Sequence, residues 1–256
     1  MRGELVLSIA TLLGFMLTLI RVGSVFIFIP LPGITSVISP ARVVLTLGIT
    51  LALFPEWPRI TAIPSAGLFL LWVMVEAGLG LGIGLTVAFV GESLGVGAQV
   101  MGLQAGYGFA ATIDPNTQAD STVLVIFSQL TAGLLFFATG FDRDILRIFA
   151  RSLETWPAGT FVLTRGAAEQ ILMIGSTMIS TGLRLALPMI GILVMVDISI
   201  ALLGRVNAQL HLISIAFPVK MMIGMSLLGW LLLLLPTLFR AGMSTSFAAM
   251  QGLIAR

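Results

Sequence analysis

Residues 66–90 read AGLFLLWVMVEAGLGLGIGLTVAFV, a run whose single charge is Glu76. Wound as an α-helix, such a run is about 37 Å long, enough to cross a hydrocarbon core of roughly 30 Å. Polar and apolar residues do not alternate in it, as they would in a strand of a membrane barrel. A lipid-exposed segment must satisfy its own backbone hydrogen bonds, and a helix does so within itself.

Similar runs lie on both sides: Leu5–Ile29, Val43–Phe54, Thr122–Phe141, Ile171–Leu203 and Leu212–Phe239. Val43–Phe54 is short and reads as a re-entrant or buried helix. Ile171–Leu203 is long, and Pro188 predicts a kink in it or its division in two. Turn chemistry separates the runs: Pro30–Gly33, Ser39–Pro40, Pro55–Pro58 with Pro64, Asp114–Asn116 and Trp156–Gly159. The first run continues past Arg21 to Ile29 and reads as a retained helix, longer than the apolar core of a signal peptide.

Composition agrees. Of 256 residues, 58% are hydrophobic and 9% charged, where a soluble domain has roughly 25% charged. The mean hydropathy is +1.11. No segment is polar enough for a separate soluble domain. The expected fold is an all-α integral membrane protein. With the N-terminus inside, six ordinary spans put Arg2, Arg59, Arg143, Arg147, Arg151, Arg165, Arg240 and Arg256 on the cytoplasmic side, against Arg42 and Arg205 outside.

Several function classes drop out. Cysteine is absent, which removes disulfides, thiolate metal sites and a cysteine nucleophile. The lone His211 excludes a multi-histidine metal site and reads as structural. No zinc-protease, nucleophile-elbow or nucleotide motif is present. No catalytic, cofactor-binding or metal residue is therefore expected. The thirteen basic residues form no patch suited to nucleic acid.

Gly78–Gly108 is the most unusual stretch, with glycines four apart at Gly78/Gly82, Gly80/Gly84 and Gly91/Gly95. It reads either as tight helix packing or as a deformable segment beside a pore. Gly106–Ser121 follows, with no basic residue and with Asp114 and Asp120 as its acids. It reads as an external loop, or as a loop folded back into protein or a lumen. Arg21, Glu76, Glu92, Arg184, Asp197, Arg205 and Lys220 lie within or beside apolar runs. Each is expected to face protein or water. Interhelical ion pairing is favoured over a proton relay, because no acid–base chain links them. Asp197 is expected to meet Lys220 or Arg205 across a helical hairpin. Asp142–Gly159 is amphipathic, with Ile145, Leu146, Ile148, Phe149 and Leu153 on one face and Arg143, Arg147 and Arg151 on the other. It suits an interfacial or partner-binding helix, or an ordinary solvated one, with Asp144 easing the repulsion between arginines.

The run GAQVMGLQAGYGFAATIDP at Gly97–Pro115 resembles the FliR family, the SctT family of injectisomes. Arg21, Pro30–Gly33, Asp197, Arg205, Gln209 and Phe217–Lys220 match it in order and spacing over nearly the whole chain. The resemblance implies a non-enzymatic subunit of the flagellar type III secretion export gate, in the bacterial inner membrane at the flagellar basal body. FliP-like and FliQ-like subunits would complete a closed channel for unfolded flagellar proteins, with an FlhB-like subunit beside it. It also implies a FliP-like part over residues 1–173 and a FliQ-like helical hairpin over 174–256. Residues 106–121 would form a plug, with Gly106, Tyr107, Gly108, Phe109, Ala110, Ala111, Ile113, Asp114 and Pro115 as its gate residues. The rival reading from residues alone is a secondary transporter of a small solute, whose expected mark, an internal repeat, is not seen.

Overall fold

Seven α-helices and one 3₁₀ turn make up the computed structural model, which describes residues 8–34, 39–107, 123–206 and 212–254. Helix α1 spans Ile9–Phe26, and the Ser8 hydroxyl accepts the Thr11 N–H at its start. Helix α2, Pro40–Ala52, opens with Pro40 in its first turn and Ser39 accepting the Arg42 N–H, the pattern of a capped start. The 3₁₀ turn Phe54–Glu56 follows. Helix α3, Ala66–Ala105, runs 40 residues from a Ser65 cap. Helix α4 is Val123–Ala138 and α5 is Phe141–Thr155. They meet at Gly140 with a bend of 67°. The two long C-terminal helices are α6, Arg165–Val206, and α7, Leu212–Ile254.

Contacts give the directions. Arg21 meets Glu76, and Val25 meets Gly84, so α1 and α3 run parallel. Helix α2 lies antiparallel between their levels: Thr46 touches Gly23, and Trp57 packs on Phe15. Helix α6 runs with α3, since Gly175 meets Phe89 and Asp197 meets Gln104. Helix α7 returns antiparallel, from Lys220 beside Asp197 to Gly252 beside Gln170. A proximal end thus gathers Pro58, Trp72, Pro157 and Ile254, and a distal end gathers Gln104, Asp197 and Lys220. Two apolar clusters lie between them. One includes Val25, Ile83, Phe149 and Phe239. The other, nearer the distal end, includes Met101, Leu124, Met189 and Leu228.

Several expectations need correcting. Among the described residues four helices are long and apolar enough to cross a membrane, or up to five if the bent α4–α5 pair is one span, instead of six. Helix α2 has 13 residues, about 20 Å. Within this single chain it is not fully buried. Its inward side carries Arg42, Thr46 and Thr50, and Val43, Val44, Leu47 and Leu51 face outward. Pro188 does not divide α6, which continues through it, as α7 does through Pro218 and Pro236. Helix α3 runs fifteen residues past the apolar run that ended at Val90.

The glycines explain how that helix is held. A Cβ on Gly80 would run into the Arg21 carbonyl of α1. A Cβ on Gly182 would lie 2.6 Å from the Ser93 carbonyl, and one on Gly97 2.9 Å from the Gly182 carbonyl. Glycine's intrinsic cost in a helix, about 1 kcal/mol against alanine, is offset here by backbone-to-backbone packing. Tight packing is the reading the structure supports at Gly80 and Gly97. Gly78, by contrast, has open space where a Cβ would go.

Candidate functional site

At the distal end, α3 stops because Gly106 adopts a left-handed φ of +87°. A Cβ there would be both strained and 2.9 Å from the Phe217 ring. The Tyr107 hydroxyl then donates to the Met221 carbonyl at 3.0 Å, fixing the exit of α3 against α7. Close by, the Lys220 ammonium lies 2.9 Å from one Asp197 carboxylate oxygen and 3.0 Å from the other. The Gln104 amide donates to that carboxylate at 3.2 Å. Three helices are joined at one acid. The pair is only partly withdrawn from solvent: the Lys220 side chain is 13% exposed and that of Asp197 43%.

Lys220 is therefore the partner of Asp197. Arg205 is exposed in the last turn of α6. Gln104 was not foreseen, because an amide in a glycine-rich helix carries no signal of which acid it will meet. Of the expected plug residues, Gly106 and Tyr107 root the segment as described above. Gly108, Phe109, Ala110, Ala111, Ile113, Asp114 and Pro115 lie outside the described residues.

The proximal cluster is different in kind. Arg21 and Glu76 are 1% and 2% exposed at their side chains and form an ion pair through Nε and Oε2. A second bond runs from Nη2 to Glu76 Oε1 at 2.9 Å. Nη1 donates to the Ser152 carbonyl at 2.8 Å and its hydroxyl at 3.2 Å, and Nη2 also reaches the Trp156 carbonyl at 2.9 Å. The Gly159 N–H donates to Glu76 Oε1 at 3.1 Å. An arginine offers five N–H donors, and this one places all of them. The cluster ties α1, α3, α5 and the turn after it. Sequence named both residues but did not join them.

Glu92 on α3 and Arg184 on α6 enter neither cluster and are exposed. Arg42 is buried and donates to the carbonyls of Phe26, Ile29 and Ile34, the last two at 3.0 and 3.4 Å. It binds the turn after α1, where Gly33 has φ +76°. In α5, Ile145, Ile148 and Phe149 are buried as the amphipathic pattern predicts. Leu146, expected on that face, is 40% exposed. Arg147 pairs with Asp144 at 2.9 Å. Among the described residues no three of the His, Asp and Glu side chains converge as metal ligands would.

Residues 12–246 match the family described as bacterial export proteins, family 1. The chain belongs to the FliR family of bacterial export proteins. Relatives bearing the FliR name include the flagellar biosynthetic protein FliR of Escherichia coli K12, 29% identical over 215 residues, or 84% of this chain and 82% of the relative. The FliR of Pectobacterium carotovorum is 31% identical over 199 residues, 76% of each chain. That of Bacillus subtilis is 21% identical over 245 residues, 94% of this chain and 95% of the relative. The family match includes both charged clusters, so the Arg21 and Asp197 sites lie within FliR sequence and outside any private extension.

Proposed function

We propose that the chain is a non-enzymatic subunit of the flagellar type III secretion export gate. With FliP-like and FliQ-like subunits it would form the closed channel through which unfolded flagellar proteins leave the cell, next to an FlhB-like subunit. Its place would be the inner membrane, at the flagellar basal body. The observation that carries this reading is the family match over residues 12–246. The long helices agree with it. Helix α3 has 40 residues, about 60 Å, twice a hydrocarbon core. Part of it would stand against sister subunits, above the lipid. Exposed Val43, Leu51, Leu70, Met74, Leu172 and Met195 give those sister chains and the lipid apolar surface to cover.

In this reading residues 1–173 are the FliP-like part and 174–256 the FliQ-like hairpin. The antiparallel α6–α7 pair supports the second. Residues 106–121 are the plug, rooted where Gly106 ends α3 and Tyr107 is tied to α7. Energy would come from partners, since the chain has no nucleotide motif. A small-solute permease would place discontinuous helices at corresponding positions of two halves, whereas the break at Gly140 between α4 and α5 has no counterpart within α3, α6 or α7.

Deleting Phe109–Ile113 tests the proposal. Cells carrying the assembled gate should leak small ions or dyes where the intact gate does not. Unchanged permeability in an assembled complex would count against the plug.

A further inference from the structure

An open groove of about 980 Å³ runs between α5 and the last turns of α7. Its floor is apolar: Phe141, Ile148 and Phe247, with the Phe141 and Phe247 rings stacked at 5.1 Å between centroids. Its rim carries Arg147 and Arg151, one turn apart on α5, with Asp144 and Thr155 on the same helix and Ser244 and Gln251 on α7. Asp144 neutralises Arg147 in part, at 2.9 Å. The Arg151 guanidinium is exposed and has no hydrogen bond or ion pair among the described residues.

We propose that this groove binds one anionic phospholipid, with its phosphate between Arg147 and Arg151 and an acyl chain along Phe141 and Phe247. The inference rests on the reading of the chain as a membrane subunit and goes beyond it. Arginine forks match phosphate oxygens in paired hydrogen bonds, and basic pockets between membrane helices take anionic lipid head groups. Phe141 lies six residues, about 9 Å along the helix, from Arg147 toward the middle of the molecule. Arg151 lies toward the proximal end, where Arg59 also sits. Polar head and apolar tail are therefore served in the order that a lipid presents them. A soluble anion has no use for the stacked rings. The arginine rim and phenylalanine floor also give a use to two of the three outward arginines of α5, Arg147 and Arg151, in a chain that is only 9% charged.

The test compares whole export assemblies extracted in mild detergent, by native mass spectrometry and by lipid extraction. The wild-type assembly should retain phosphatidylglycerol or cardiolipin in preference to phosphatidylethanolamine. An arginine near an anionic lipid strengthens binding about fivefold, so R147Q/R151Q should cut retention about 25-fold with subunit composition unchanged. R165Q, which removes a surface pair with Glu169 outside the groove, should change nothing. D144N frees Arg147 and should raise retention, an effect that a merely structural role for α5 would not produce. If R147Q/R151Q does not assemble, R151Q alone decides, with retention about fivefold lower. Equal retention in wild type and variants overturns the proposal. So does loss of a protein subunit with lipid content unchanged, since the occupant is then an acidic segment. So does displacement of the bound lipid by inorganic phosphate alone, since the site is then one for a simple anion.

Discussion

The two charged clusters touch α3 twenty-eight residues apart, at Glu76 and Gln104, about 42 Å along the helix. Both answer the same difficulty, a charge carried on an apolar helix. Arg21 and Glu76 answer it by complete enclosure, with every guanidinium N–H placed and neighbouring carbonyls enlisted. Asp197 and Lys220 answer it by staying partly in contact with solvent, with one amide added. Enclosure makes a clasp that loses heavily if half of it is removed. Partial exposure makes a contact that can open and close at small cost. The clasp sits where α1, α3 and α5 are joined, and the looser pair sits where α3 ends at Gly106.

That contrast can be broken by measurement. Glu76→Ala leaves Arg21 buried and unpaired, and should destabilise the chain by about 3–5 kcal/mol. Little protein should reach the assembled complex, as read by membrane fractionation and blue-native electrophoresis. Normal assembly of this variant would show that the cluster is no clasp. Next in size, Gly182→Val forces α6 away from the Ser93 carbonyl, midway between the clusters, for about 1–3 kcal/mol. A lowered thermal midpoint of the purified complex checks it. Tyr107→Phe removes the hydroxyl bond to Met221 and should cost about 1 kcal/mol, visible as faster deuterium uptake at the distal end alone. The smallest effect is expected for Lys220→Met. With Asp197 still partly hydrated, the loss should stay within about 1 kcal/mol. A collapse of the complex in this variant as severe as that of Glu76→Ala would erase the distinction.

Much of the fold was legible in sequence because apolar length is a local property. The run at 66–90 announced α3, Ser39–Pro40 announced the start of α2, and the arginine spacing at Arg143, Arg147 and Arg151 announced the outer face of α5. What failed was also local reasoning, applied where tertiary contact decides. The second half of α3 carries glycine and glutamine, and persists because Gly97 and Gly182 pack backbone on backbone. Pro188 leaves α6 whole within a long bundle that satisfies its surroundings. Helix α2 is short yet faces its apolar residues outward and its Arg42, Thr46 and Thr50 inward, which no span-counting rule foresees.

The sites show the same limit. Arg21 and Glu76 stand 55 positions apart in sequence, and nothing local says that they meet, or that Ser152 and Trp156 supply carbonyls. That Asp197 would meet Lys220 or Arg205 was legible because a hairpin brings two nearby segments together, and the fold chose Lys220. Arg42, counted in sequence only for its side of the membrane, is buried and holds the turn after α1. Glu92 and Arg184 entered the list of charged candidates by position alone, and the fold leaves both at its surface.

The most direct measurement is made on the chain in its own membrane. Extracted gently and purified through an affinity tag, it should arrive with sister export subunits in a complex of defined mass. Reconstituted alone, it should move no small solute. A stable single chain that transports a solute in proteoliposomes would contradict the account.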